Sequence, residues 1–186
     1  MGTALDLFIR DKDPVSVHAL ACGGCELIEG VAETAGYSTL STHILETHPD
    51  IEMGKIRALR NQHWNAIKHF YAHDRKRERD DHELMATFSD DQNDMPLFMG
   101  WFDYVQVTGK LPIPVQVFQV WWYAIHEEKL ANDVARMGIN ALFPGLRNRD
   151  RSEQKRRLRR AIERFKNRKE LTQDPRTELT PLVFAR

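Results

Sequence analysis

Residues 13–31, DPVSVHALACGGCELIEGV, place an imidazole, two thiols and a carboxylate at the spacing of successive helical turns. An α-helix turns about 100° per residue, so His18, Cys22, Cys25 and Glu29 fall on one narrow stripe. A separate face of the same helix is predicted to be its apolar, core-facing side and carries Val17, Leu20, Ala21, Leu27, Ile28 and Val31. Thiolates and imidazoles are the ligands that zinc prefers in proteins. The stripe therefore predicts a metal-binding or thiol-based protein, with zinc or another transition metal as the cofactor if there is one.

One straight helix seldom presents four ligands to the same ion, because its side chains diverge from the axis. The missing ligand would come from a facing helix, and the predicted metal set is His18, Cys22, Cys25 and His73. The same CxxC also fits two small buried apolar residues, which is the commonest role of a free cysteine. Both interpretations stay open at this point.

The segment 57–74, RALRNQHWNAIKHFYAHD, carries the second set of reactive side chains. Asn65, Lys68 and His69 cluster on the polar side of the predicted helix, where they could hold a phosphate or a ribose. His63 lies on the apolar side, and we interpret it as a core histidine bonded to backbone. A polar face washed by solvent is the simpler alternative for the whole segment.

Three phrases in the chain, DPVSVHALA, WNAIKHFYAHD and LFPGL, resemble those of a family of small bacterial all-helical proteins. The family phrases are of the type DPVSxHTLA, NFFKHAD and FPG. Both cysteine positions are alanines in that pattern, which leaves His18, Asn65, Lys68 and His69 as the residues that belong to a motif. The resemblance implies a helical fold and no particular activity.

A more distant resemblance is to HEPN domains, helical bundles that often dimerise and cut RNA. Their motif is an Arg followed by a His four to six positions later, and the pairs Arg57–His63 and Arg77–His82 have this spacing. In such a site the His moves the 2′-OH proton and the Arg stabilises the scissile phosphate. The predicted catalytic set is Arg57, Arg60, Asn65, Lys68 and His69.

A basic element lies near the C-terminus of this chain, whose formal net charge is zero. The segment 147–169 carries twelve basic and three acidic residues, so the rest of the chain is acidic. Within it, Arg157, Arg160, Arg164 and Arg168 follow one face of a predicted helix and could track a nucleic-acid backbone such as RNA. The alternative is a helix that pairs with an acidic surface of this chain or of a partner protein.

These side chains are positioned by helices, because helical periodicity dominates and alternating strand patterns are nearly absent. We predict an all-α fold: a multi-helix antiparallel bundle of about six to eight helices, with no substantial sheet. Helices are expected near residues 4–10, 14–35, 38–46, 49–74, 94–107, 112–126, 130–142 and 152–169, and residues 84–88 could be extended. The predicted organisation is a helical core over 1–148, a docked basic helix over 149–170 and an irregular tail over 171–186.

Composition favours a cytoplasmic protein without a membrane partner. No continuous apolar run approaches the roughly 20 residues that span a bilayer, and the N-terminus lacks a secretory pattern. Phe118, Trp121, Trp122 and Ile125 cover more than half of one helix, which favours a homodimer interface. The functions left open are an interaction or nucleic-acid-associated module, with or without RNA cleavage, a metal or thiol protein, and a structural or adaptor subunit.

Overall fold

The computed structural model describes residues 1–71, 78–130 and 132–183. The α-helices of this part of the chain are α1 (Gly2–Ile9), α2 (Pro14–Thr34), α3 (Leu40–Thr47), α4 (Met53–Lys68), α5 (His82–Ala86), α6 (Asp94–Thr108), α7 (Ile113–Ile125), α8 (Asp133–Leu142), α9 (Arg151–Phe165) and α10 (Lys169–Thr172). Two two-residue strands, β1 (Leu111–Pro112) and β2 (Thr177–Glu178), pair in parallel. The prediction of an all-α fold without a substantial sheet is confirmed.

The chain divides into two compact units. Unit 1 comprises Met1 and Asp13–Val107, and unit 2 comprises Gly2–Lys12 and Thr108–Arg186. The predicted division at residues 148 and 170 stays a prediction.

Unit 1 is built around α2, which packs against α4 and against a 3₁₀ turn at Asp90–Asn93. Helix α2 begins at a strong signal: the Asp13 carboxylate accepts a hydrogen bond from the Ser16 amide at 2.8 Å, and Pro14 occupies the first turn. This signal fixes where α2 begins. A small apolar cluster of Cys25, Ile56 and Met99 lies beneath the helices.

The predicted apolar face of α2 is wrong in part. Val17 and Ala21 are buried, but Leu20, Leu27 and Val31 are 45%, 75% and 51% exposed. The buried face is instead the stripe that carries His18, Cys22, Cys25 and Glu29. Asn93 forms a hydrogen bond with His18, and Ser41 and Arg60 donate to Glu29. The polar groups of the stripe are therefore buried with hydrogen-bond partners.

Two further element predictions in unit 1 need correction. Helix α4 ends at Lys68, earlier than the predicted 74, because His69 takes an extended conformation (φ −123°, ψ 121°). Residues 82–86 form α5, so the extended alternative for 84–88 is wrong. The turn is closed by a backbone hydrogen bond from the Met85 amide to the Asp81 carbonyl, 2.8 Å long.

Unit 2 packs α7 against α8 and α9, and α1 against α9. Phe8 of α1 meets Phe118 and Trp121 of α7 edge to face, with ring centroids 5.7 and 5.8 Å apart. The Trp121 indole N–H donates to the Gln154 carbonyl at 2.8 Å, which joins α7 to α9. Phe118, Trp121 and Trp122 of α7 are buried in the single chain, so a second copy is not needed to cover them. The homodimer stays a prediction.

Candidate functional site

His18 lies at the centre of a short chain of hydrogen bonds in unit 1. The Asn93 amide N–H donates to the Pro14 carbonyl at 3.1 Å, which leaves the Asn93 oxygen to accept from His18 Nδ1 at 3.1 Å. Burial lowers the pKa of His18, which favours the neutral ring, and the Asn93 oxygen as acceptor places the ring proton on Nδ1. Its Nε2 then faces the Cys22 thiol, whose Sγ is 3.4 Å away.

Both cysteines are buried and free, and neither has the environment of a reactive thiol. Burial raises the pKa of Cys22 and of Cys25 to about 12, so both remain protonated at neutral pH. Thiolates are the species that attack electrophiles and bind metals. The two thiols of the stripe are therefore in the state expected of small core residues.

The structure does not assemble the predicted metal ligands. Within residues 1–71, 78–130 and 132–183, no group of three or more His, Cys, Asp or Glu side chains is placed to hold a metal ion. His18 and Cys22 are in contact, and Cys25 follows on the next turn. His73, the fourth predicted ligand, lies outside the described residues, as does Arg77. The metal site stays a prediction.

Two arginines of the predicted catalytic set are held by carboxylates. Arg60 is buried, and its guanidinium donates to Glu29 at 2.9 Å. Ser41 donates its hydroxyl to the other Glu29 oxygen at 2.7 Å. Arg57 is half exposed and donates to Glu33 at 2.9 Å. The Arg60 guanidinium is buried and cannot reach a phosphate without breaking its ion pair, whereas the Arg57 guanidinium stays partly exposed.

The second imidazole beside His18 is His63, not His69. The rings of His18 and His63 meet edge to face with centroids 5.8 Å apart, and Phe88 contacts both rings at 5.2 Å. His63 is buried, as its place on the apolar face predicts, but its Nε2 has no hydrogen-bond partner among the residues described. The burial of His63 agrees with its interpretation as a core histidine, and the expected backbone hydrogen bond stays a prediction.

His18 and His63 line a cavity of about 260 Å³ within unit 1. Its walls are mainly apolar side chains from α3, α4 and α6, and Lys55, Arg60 and Gln92 also contribute. Sequence reasoning missed this cavity. The available signal was the position of His63, on the α4 face that packs towards α2.

The remaining predicted catalytic residues lie at the end of α4. Lys68 and His69 are exposed and line a separate surface concavity with Arg79 and His82. The Lys68 ammonium lies 3.6 Å above the Trp64 ring, a cation–π contact. Asn65 does not line this concavity, although its carbonyl accepts from the His69 amide. The structure therefore pairs His18 with His63 and places His69 elsewhere.

Unit 2 brings together three of the four arginines predicted to bind nucleic acid. Arg157, Arg160 and Arg164 of α9 line a concavity of about 170 Å³ beside Leu142 and Phe143. Arg157 also donates to Glu153 and to the Pro144 carbonyl, each at 2.9 Å. The fourth, Arg168, lies over the Phe165 ring at 4.7 Å, and Arg164 approaches the same ring at 5.6 Å.

No protein-family model, curated protein or solved structure matches this chain. The resemblance to the small bacterial helical family and to HEPN domains therefore stays a prediction. What can be argued about function comes from the two clusters just described: the cavity of unit 1 and the arginines of α9.

By length and composition α2 could cross a membrane. The core helix of a soluble protein passes the same test, and α2 buries 39% of its most apolar window. The cytoplasmic location and the absence of a membrane partner stay predictions.

Proposed function

We propose that this chain is a nucleic-acid-associated helical module that binds phosphate groups, with RNA as the preferred candidate, through the arginines of α9. The observation that carries the proposal is the concavity lined together by Arg157, Arg160 and Arg164. Guanidinium groups bind phosphate oxygens through paired N–H donors, and several around one hollow suit a phosphodiester chain.

Burial and pairing support binding at this face. Arg160 and Arg164 are both exposed, so a phosphate could reach them without unfolding of α9. Arg157 already shares its guanidinium with Glu153 and a backbone carbonyl, which fixes its direction. The three side chains thus combine one oriented donor with two accessible ones.

The geometry favours binding over cleavage. An RNA-cleaving site needs an imidazole and a guanidinium on one accessible phosphate. Arg57 and Arg60 donate to Glu33 and Glu29, and His63 lies in the cavity of unit 1. HEPN-like cleavage therefore has weaker support here than phosphate binding.

Fluorescence anisotropy with a labelled 20-nucleotide single-stranded RNA tests the proposal between 25 and 300 mM KCl. Three phosphate contacts give a slope of log Kd against log salt of magnitude about 2. The Arg160→Gln, Arg164→Gln double variant should lose about two thirds of that slope. Arg156→Gln is the matched control, because Arg156 is exposed on α9 but does not line the concavity.

Absence of binding at 25 mM KCl would contradict the proposal. So would a double variant whose affinity and salt slope equal those of Arg156→Gln. Binding that survives in the double variant would place the contact on another basic surface.

A second candidate function, an adaptor subunit, is favoured by the exposed apolar stripe of α2. Leu20, Leu27 and Val31 lie at i, i+7 and i+11 and are half exposed or more. If a partner protein covers this stripe, Leu27→Glu should abolish a specific complex isolated with the wild-type chain. The same variant should leave RNA affinity unchanged, which separates the two functions.

A further inference from the structure

We propose that the α9 hollow, the concavity lined by Arg157, Arg160 and Arg164, holds an unpaired base of single-stranded RNA. This inference rests on the proposed phosphate binding and names the form of nucleic acid that the same site selects. The arginines bind the phosphates on either side of the base, and the base occupies the space between them.

The lining of the α9 hollow is only half cationic. Its other three members are the apolar residues Leu142, Phe143 and Ala161. Phe143 and Ala161 are 2% and 7% exposed, so Leu142, which is half-buried, offers most of the apolar surface that a ligand can touch. Phosphate oxygens require N–H donors and gain nothing from an apolar side chain, whereas the faces of a base do. The hollow therefore presents both kinds of surface that one nucleotide needs.

Arg164 gives the α9 hollow a flat group on which a base can stack. Its guanidinium lies 5.6 Å from the centre of the Phe165 ring, and the Arg168 guanidinium lies over the same ring at 4.7 Å. Phe165 is half-buried, whereas both arginines are exposed. Unpaired bases of RNA stack on aromatic rings and on guanidinium planes. Arg164 thus lines the hollow and also belongs to a cation–π cluster that a base can extend.

The volume of the α9 hollow fits a single ring. It is about 170 Å³. An apolar protein cavity of about 150 Å³ is enough to take up benzene. A pyrimidine base has one six-membered ring of that size, so uracil fits the hollow without being divided between the hollow and the solvent.

The structure of a duplex keeps double-stranded RNA out of the α9 hollow. In an A-form helix the bases are paired and stacked inside, and proteins reach mainly the phosphates and the 2′-hydroxyls. A duplex can therefore use the arginines but not the surface of Leu142. A single strand can use both, because its bases turn outward without breaking pairs.

Fluorescence anisotropy at 50 mM KCl with two labelled 20-mers of equal phosphate number tests the proposal. One is oligouridine, and the other carries an abasic ribose at every position. We expect oligouridine to bind the wild-type chain at least about 5-fold more tightly, the lower end of the gain from one stacked base. A 20-base-pair RNA duplex should bind more weakly than oligouridine.

Leu142→Asn tests the apolar surface of the hollow. Asparagine has nearly the shape of leucine but presents an amide, so the preference for oligouridine should fall below about 2-fold. The affinity for the abasic strand should stay unchanged, because no arginine is altered. Met137→Gln is the matched control: Met137 is an exposed apolar residue of α8 that does not line the hollow, so its variant should keep the wild-type preference.

Arg164→Lys tests the stacking plane. Lysine keeps the positive charge but has no planar group, so the preference for oligouridine should fall by at least about half. The affinity for the abasic strand should remain within about 2-fold of wild type, as should both affinities in the control Arg156→Lys. Circular dichroism shows whether each variant is folded. Arg164 is exposed, so Arg164→Lys decides the location if Leu142→Asn does not fold.

Failure of this inference is distinguishable from failure of the proposed function. If neither 20-mer binds at 25 mM KCl, both are wrong. Equal affinity of the two strands would leave phosphate binding intact and overturn the base site. A preference that is undiminished in folded Leu142→Asn or in Arg164→Lys would also overturn it, and so would tighter binding of the duplex than of oligouridine.

Discussion

Unit 1 and unit 2 each bury a long cationic side chain, but they neutralise it in different ways. In unit 1 Arg60 is paired with Glu29, and both side chains are excluded from water. In unit 2 the buried Lys155 ammonium lies 2.8 Å from Asp11, which is 56% exposed, and 4.4 Å from the Phe8 ring. The two pairs differ in their carboxylates. Glu29 is buried and depends on Arg60 for its neutralisation, whereas Asp11 remains hydrated.

This comparison bears on function as well as on stability. In unit 1 the buried Arg60 and Glu29 are committed to each other, so neither is available at the surface. Several arginines of α9 in unit 2 remain at the surface, which suits phosphate contacts.

The largest effect is expected from breaking the buried pair of unit 1. Arg60→Met leaves the Glu29 carboxylate without its main cation, and we expect a loss of about 3–5 kcal/mol in the free energy of unfolding, measured by urea denaturation. The double variant with Glu29→Leu should recover most of the loss. Arg10→Met, which breaks the exposed pair with Asp6, should cost no more than about 1 kcal/mol. A small effect of Arg60→Met would show that the pair is not isolated from water.

A pH-dependent effect is expected at Asp103 of α6. Burial raises the pKa of this carboxyl to about 6, against the hydrogen bond it accepts from the Leu40 amide at 2.7 Å. Its other oxygen finds no hydrogen-bond partner in the described part of the chain. Between pH 3.8 and about 6 the folded state holds a proton that the unfolded state releases. Stability from this group is therefore greatest at low pH and falls as the pH rises through that window.

Asp103→Asn removes this dependence. The difference in unfolding free energy, variant minus wild type, should increase by about 2 kcal/mol as the pH is raised from 4.5 to 7.5. The lowered pKa of His18 acts in the opposite direction, but it is common to both proteins and cancels in the difference. A pH-independent difference for Asp103→Asn would contradict the account.

A smaller effect is expected from the buried lysine of unit 2. Lys155→Met keeps the apolar stem and removes the ammonium from Asp11 and from the Phe8 ring. Asp11 stays hydrated, so the loss of unfolding free energy should be about 1–2 kcal/mol. Lys166→Met, at an exposed pair with Glu163, should be nearly neutral. A loss as large as that of Arg60→Met would remove the distinction between the two units.

Local sequence predicted the helices well, because caps and periodicity are short-range signals. Asp13 and Pro14 fix the start of α2, and the spacing of its His and Cys residues correctly predicts one shared stripe. The direction of that stripe was not predictable from α2 alone. It depends on Asn93 and Arg60, which satisfy its polar groups from distant parts of the chain.

Contacts between residues distant in sequence also decide which candidate site residues meet. The pairing of His18 with His63 depends on the contact between α2 and α4, and the burial of Lys155 depends on Asp11, far away in sequence. By contrast, the arginines of α9 lie on one helix, so their periodicity predicted which of them could share a surface. Arg157, Arg160 and Arg164 do so.

The accessibility of Cys22 and Cys25 tests most directly that the reactive stripe of α2 is a buried face. Both pKa values are raised to about 12, so reaction of the native chain with Ellman's reagent at pH 8 should be negligible over several minutes. Unfolding in guanidinium chloride should release both thiols at once. Rapid modification of both thiols in the native chain would contradict the inward orientation of the stripe and the cavity built upon it.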